Sequence, residues 1–171
     1  MAVPRSDNRS LASYIGEIAH LFAQGAMSSG EAAALRRMDV DQPVPLAFYR
    51  LGVRHLPPSW DRDAESVRDW VTIVAGIAIL APSGYRPDIG LGRALARSGF
   101  SEARMERLLA SDGDTLRILA LRAARLMAAK TQPCNWSEAG QLLLAREATR
   151  LEGVRRHVAR DFYVTLDIED R

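Results

Sequence analysis

The sequence predicts an all-α protein, a compact bundle of eight to nine helices. Three observations carry this. Apolar residues recur at i, i+3, i+4 and i+7, most clearly in Val67, Trp70, Val71, Val74, Ile77 and Ala78. No stretch alternates apolar and polar residues for long enough to form a half-buried strand. Clusters of Gly, Pro and Ser separate the periodic stretches. With 171 residues, 47% of them hydrophobic, the chain can bury a substantial core.

A first helix is expected over 9–24, with Leu11, Ile15, Ile18, Ala19 and Phe22 on one face. Gly25 and the residues to Ser29 break it, and Ser29 is suited to cap a second helix over 30–38. The stretch 39–45 holds Pro43 and Pro45 and reads as a loop. A short helix over 46–55 turns Phe48, Leu51 and Leu56 toward the core, with Tyr49 also expected inside. Pro57 and Pro58 interrupt the chain. The helix over 64–80 adds Ile73, Ile79 and Leu80 off its apolar stripe, which predicts burial on two sides. Pro82, Gly84 and Pro87 make 81–88 a linker between helical halves 1–84 and 85–171.

Two short helices within 90–109 meet at Gly99, a suitable C-terminal stop, and Ser101 with Glu102 opens the second. A turn at 112–114 leads into a helix over 115–129. Its expected core face is Leu116, Leu119, Ala123, Leu126 and Met127. Arg117, Arg122 and Arg125 fall on the other side, interleaved with Ile118 and Leu121, an unusual mixture for a purely solvated face. Helices over 136–149 and 152–165 complete the set. On the last, Val154, Val158 and Phe162 point inward, and the acidic tail 167–171 is expected to fray.

The formal charge is only +2, but its distribution is uneven. Residues 1–85 hold 8 basic and 9 acidic side chains, a net of −1, whereas 86–166 hold 14 basic and 9 acidic, a net of +5. An anionic partner should therefore lean on the second half. The basic residues are 22 Arg and a single Lys, and arginine is the better residue for bidentate phosphate contact. Cys134 is the only cysteine, which excludes a disulfide framework. The N-terminal residues lack the apolar stretch of a signal peptide, and the longest apolar run, 71–81, is shorter than the roughly 20 residues of a membrane span. A cytoplasmic protein is expected.

Motifs of metalloprotease, redox, hydrolase and Walker type are missing from the sequence. Gly90-Leu91-Gly92 lacks the third glycine and the preceding strand of a dinucleotide site. His20, His55 and His157 are far apart and read as structural. His55 and His157 stand beside arginines in sequence, and His157 precedes Asp161 by four residues, a spacing suited to a hydrogen bond on the helix surface. Cys134 reads as a small buried residue. Asp39 and Asp41 suit a local turn or a cation. Among the tryptophans, Trp70 belongs to the core and Trp136 to a packing contact. Trp60, in a Pro-rich loop, is a candidate for stacking on bases.

The strongest functional signal is a repeated arginine pair. Arg93/Arg97, Arg104/Arg107, Arg50/Arg54, Arg122/Arg125, Arg146/Arg150 and Arg156/Arg160 each lie three or four residues apart. Such spacing puts two like charges on one helix face, at a cost of a few tenths of a kcal/mol unless an anion sits opposite. One reading is a helix-turn-helix regulator, with Gly99 in the turn and Arg104 and Arg107 reading bases. The other is a groove of phosphate contacts that positions nucleic acid without reading its sequence. The spread of the pairs along the chain favours the second.

The blocks ALRRMDVDQPVPLAFYRL, a tryptophan-bearing apolar helix, GLGRALARSGFSEARMERLLASD, LRAARLM, NW and VRRHVARDFY follow one another in a set order. In this the chain resembles the CasB family, the small subunit of the type I-E CRISPR Cascade complex, from about Leu35 to Phe162. The departures are an N-terminal extension before Arg9 and a longer loop around 151–153. The resemblance implies an all-helical, non-catalytic subunit without cofactor or metal. Two copies would sit head to tail against the backbone-forming and large subunits. They would help hold crRNA-paired target DNA and the displaced single strand, and so stabilise the R-loop in antiviral defence. Carried over residue by residue, it makes Arg37, Arg104 and Arg125 nucleic-acid-binding, with Arg155 and Arg156 beside them. Arg36, Arg107 and Arg122 join on charge and helix face. Arg50 and Arg93 belong to the signature blocks and suit buried or capping roles.

Overall fold

The computed structural model describes residues 8–170. Arg5 and Arg171 therefore lie outside the described residues, as does most of the extension before Arg9. The described residues form nine α-helices: α1 (Leu11–Ala23), α2 (Ser29–Arg36), α3 (Leu46–His55), α4 (Ala64–Leu80), α5 (Leu91–Arg97), α6 (Glu102–Ala110), α7 (Gly113–Ala129), α8 (Ser137–Leu144) and α9 (Ala148–Glu169). No helix among them is long and apolar enough to cross a membrane.

Local chemistry sets most boundaries. Ser10, Asp63 and Ser101 each accept a hydrogen bond from the backbone N–H three residues on and start α1, α4 and α6. At α2 the cap is Ser28 rather than Ser29, because Glu31 completes a reciprocal capping box with Ser28. Gly99, at φ 75°, ends α5 in the left-handed region expected of it.

The centre of the molecule is α4, buried along nearly its whole length and packed by α1, α2, α7 and α8. Its near-continuous apolar sequence is thereby explained: a helix hydrophobic all round needs neighbours all round. Gly76 has a specific role, since a Cβ there would lie 2.1 Å from Trp136 Cζ2. Trp136 fills that space and donates its Nε1–H to Ile73 O at 3.0 Å. Trp60 is also buried, edge-on to Phe48 with ring centroids 5.5 Å apart, so it offers no stacking platform.

The short α5 lies against α9 with unusual closeness. A Cβ on Gly92 would stand 2.2 Å from Val158 O, and one on Gly90 would stand 2.3 Å from Asp161 Oδ2. The N–H groups at the start of α5, which lack partners within the helix, are satisfied from other helices: Leu91 N–H donates to Glu138 Oε2 at 2.6 Å and Arg93 N–H to Asp161 Oδ2 at 2.9 Å. The Gly-Leu-Gly echo thus serves helix packing.

Several expectations are corrected. The helix predicted over 136–149 stops at Leu144, because Ala145 turns extended, Arg146 reaches back to Leu143 O, and Glu147 caps the next helix through Thr149 N and Arg150 N. Residues 151–153 are therefore helical and not a loop, and α9 continues through the acidic tail to Glu169 instead of fraying. Tyr49 is exposed because it lies on the outer side of α3, whereas Phe48 is fully buried.

Candidate nucleic-acid interface

The structure sorts the arginines into two populations. In the first, the guanidinium is spent on a carboxylate. Arg50 pairs with Glu31, Arg86 with Asp88, Arg93 with Asp161, Arg97 with Glu169, and Arg68 with Asp114. Arg117 is the extreme case. Expected on the open side of α7, it is instead 3% exposed and donates to Glu65, Asp69 and Asp114. Burial opposes its charge, but these three hydrogen bonds prevail and raise its pKa further above the ordinary arginine range. Asp69 is equally buried and accepts a second arginine, Arg146, at 2.5 Å. This network ties α4, α7 and the α8–α9 junction together.

The second population contains all eight residues singled out from sequence. Arg36, Arg37, Arg104, Arg107, Arg122, Arg125, Arg155 and Arg156 form no ion pair among the described residues. Arg155 is half-buried and the other seven are exposed. The three-residue spacing of Arg104 and Arg107, with Arg122 opposite, leaves positive charge uncompensated at the surface.

Three of these arginines converge. Arg104 and Arg107 on α6 and Arg122 on α7 line one cleft of about 270 Å³ together with Phe100, Leu119 and Leu126. The cleft forms because Met105 and Leu108 anchor one side of α6 in the core, which turns Arg104 and Arg107 to the α7 flank. The opposite flank of α6 is acidic. There Glu102 accepts a hydrogen bond from Tyr163 of α9 at 3.1 Å. That bond, with Glu106 nearby, raises the pKa of the Tyr163 hydroxyl.

The remaining arginines sit elsewhere. Arg125 lies one turn beyond Arg122 on α7, outside the cleft lining. Arg36 and Arg37 occupy the end of α2, where Arg36 Nε approaches Ala78 O at 3.5 Å. Arg155 and Arg156 are in the first half of α9.

Sequence reasoning missed the apolar members of the cleft. Leu119 and Leu126 were expected in the core but are only partly buried, since α6 covers α7 incompletely at this point. The available signal was the interleaving of arginine with leucine along 115–129. The histidines answer carboxylates rather than neighbouring arginines: His55 Nδ1 lies 2.8 Å from Glu17, and His157 Nε2 lies 3.0 Å from Glu138 rather than bonding Asp161. Asp39 Oδ1 accepts Asp41 N–H and Gln42 N–H and so closes a local turn. Cys134 is buried, and burial raises its thiol pKa far above the ordinary value, leaving it unreactive.

Fold and surface together define an all-helical protein that carries part of its arginine complement uncompensated. Residues 31–163 match the family model of CRISPR-associated protein Cse2, and the chain belongs to that family. It is a subunit of a type I-E CRISPR Cascade complex. The matched span contains all eight arginines above. No curated protein and no solved structure matches the chain.

Proposed function

We propose that this Cascade subunit binds nucleic-acid backbone and stabilises the R-loop in the cytoplasm, acting without catalysis on the displaced strand and on the guide RNA–target DNA heteroduplex. The observation that carries this is the sorting of the arginines: the eight candidates form no ion pair among the described residues, whereas Arg50, Arg93, Arg97, Arg117 and Arg146 each pair with a carboxylate. In a Cascade complex base pairing with the guide reads the sequence, so the protein's task is to hold backbone. A second copy of the chain and the other Cascade subunits are the protein partners in this reading. The exposed apolar stripe of Leu46, Tyr49 and Val53 on α3 supports a protein contact there.

The test is R-loop lifetime on matched target DNA, using a Cascade complex purified without its small subunit. Adding back the native protein should lengthen the lifetime, and an Arg104→Ala, Arg107→Ala, Arg122→Ala variant should restore less. For single-stranded DNA the salt dependence of the isolated chain should flatten by about 0.7 unit of slope for each arginine–phosphate pair removed. Equal lifetimes with and without the protein would overturn the proposal.

A further inference from the structure

We infer that the α6–α7 cleft seats an unstacked nucleobase, so that this subunit contacts a base and not only phosphates. The inference rests on the nucleic-acid reading and extends it. Phosphate binding needs charge alone, yet half of the residues lining this cleft are apolar, and they are the less exposed half: Phe100 is buried and Leu119 and Leu126 partly buried, a floor to the exposed Arg104, Arg107 and Arg122. An apolar floor gains nothing from a phosphate, and a duplex keeps its base faces stacked inside. A single strand offers both, a free base face for the floor and an adjoining phosphate for the rim. Guanidinium planes also stack on bases, so the rim serves both parts of one nucleotide.

The placement of the residues agrees. Leu119, Arg122 and Leu126 lie at i, i+3 and i+7 of α7, one face spanning about 10 Å of helix at ~1.5 Å per residue. Across α6, Glu102 and Glu106 present negative charge, which disfavours a phosphate path over that flank and confines the strand to the α7 side.

The experiment compares two oligonucleotides of equal length and charge, a single strand of thymidines and a fully abasic strand, binding to the full-length chain at low salt. The native protein should prefer the thymidine strand by about tenfold, within the range for one buried base. A Leu119→Ser, Leu126→Ser variant should bring the two strands to parity while keeping the native salt slope, at some cost in thermal stability because both leucines pack partly against the core. If the serine variant fails to fold, Leu119→Ala alone should narrow the preference at an unchanged salt slope, and an undiminished preference in that folded variant would overturn the base seat. Equal binding of both strands by the native protein, with the salt slope intact, would overturn the base seat and leave the backbone reading standing. Failure to bind either strand overturns both.

Discussion

Arg117 Nε donates to Asp69 Oδ1 across 2.9 Å with both side chains almost wholly buried, joining α7 to α4 inside the bundle. Removing one partner of a buried pair leaves the other charge uncompensated and costs about 3–5 kcal/mol. Arg117→Met should fall near the low end, about 3 kcal/mol, because Arg146 still faces Asp69. Adding Asp69→Asn should cost much less than the sum of the two single changes, because the residues share one network. Urea unfolding of the two single variants and the double variant measures this coupling. Strict additivity would show that the pair contributes no mutual stabilisation.

The close approach of α5 and α9 makes opposite predictions for two glycines. Gly92→Ala forces a methyl group against Val158 O, a backbone atom that cannot swing aside, and should destabilise by about 1–3 kcal/mol. Gly153, inside α9, has nothing within 4 Å of a Cβ position, so Gly153→Ala should stabilise by about 0.5–1 kcal/mol. Thermal unfolding distinguishes them, and shifts of the same sign would refute the packing account.

Acid should weaken the fold through its paired carboxylates. Hydrogen bonds from Arg68, then from Arg117, hold the Asp114 carboxyl below its ordinary pKa. Glu17 is also lowered, chiefly by its hydrogen bond to His55 and then, against the opposing effect of burial, by Arg9. With a depressed folded pKa, the unfolded chain takes up protons first as pH falls. The stabilisation is complete above the unfolded value, about 3.9 for aspartate, and is lost as pH drops through the lower folded value. The urea midpoint should therefore fall steeply below about pH 4. Asp114→Asn should lower the neutral-pH midpoint and make the acid decline shallower. An unchanged decline would assign it to other carboxylates.

Leu46 and Val53 on α3 are 79% and 81% exposed, and Tyr49 lies between them on the same face. Val53→Asp breaks this stripe without touching the core and should change stability by less than about 0.5 kcal/mol. It should reduce co-elution with the rest of Cascade or lower the number of copies retained. Native co-elution and copy number in the variant would place the protein contacts on another surface.

Much of this molecule was legible from the residues alone because its signals are local. Periodicity along 64–80 marked the central helix, Ser101 and Gly99 marked helix ends, and the second half's positive balance marked the region where most of the arginines without acid partners lie. What misled was equally local in form. Arg117 reads like Arg122 and Arg125 along the chain, and only Glu65 and Asp69, arriving from α4, make it a buried structural residue. The break at 145–147 was hidden for the same reason, since Arg146 answers Asp69 in a distant helix.

Helix type, helix caps and the supply of positive charge were determined by the sequence itself, because they depend on neighbours within a turn or two. Which arginines are neutralised, and that Leu119 and Leu126 floor a cleft with Arg104, Arg107 and Arg122, were decided only by tertiary structure. Ion pairing and incomplete burial depend on groups brought together from far along the chain.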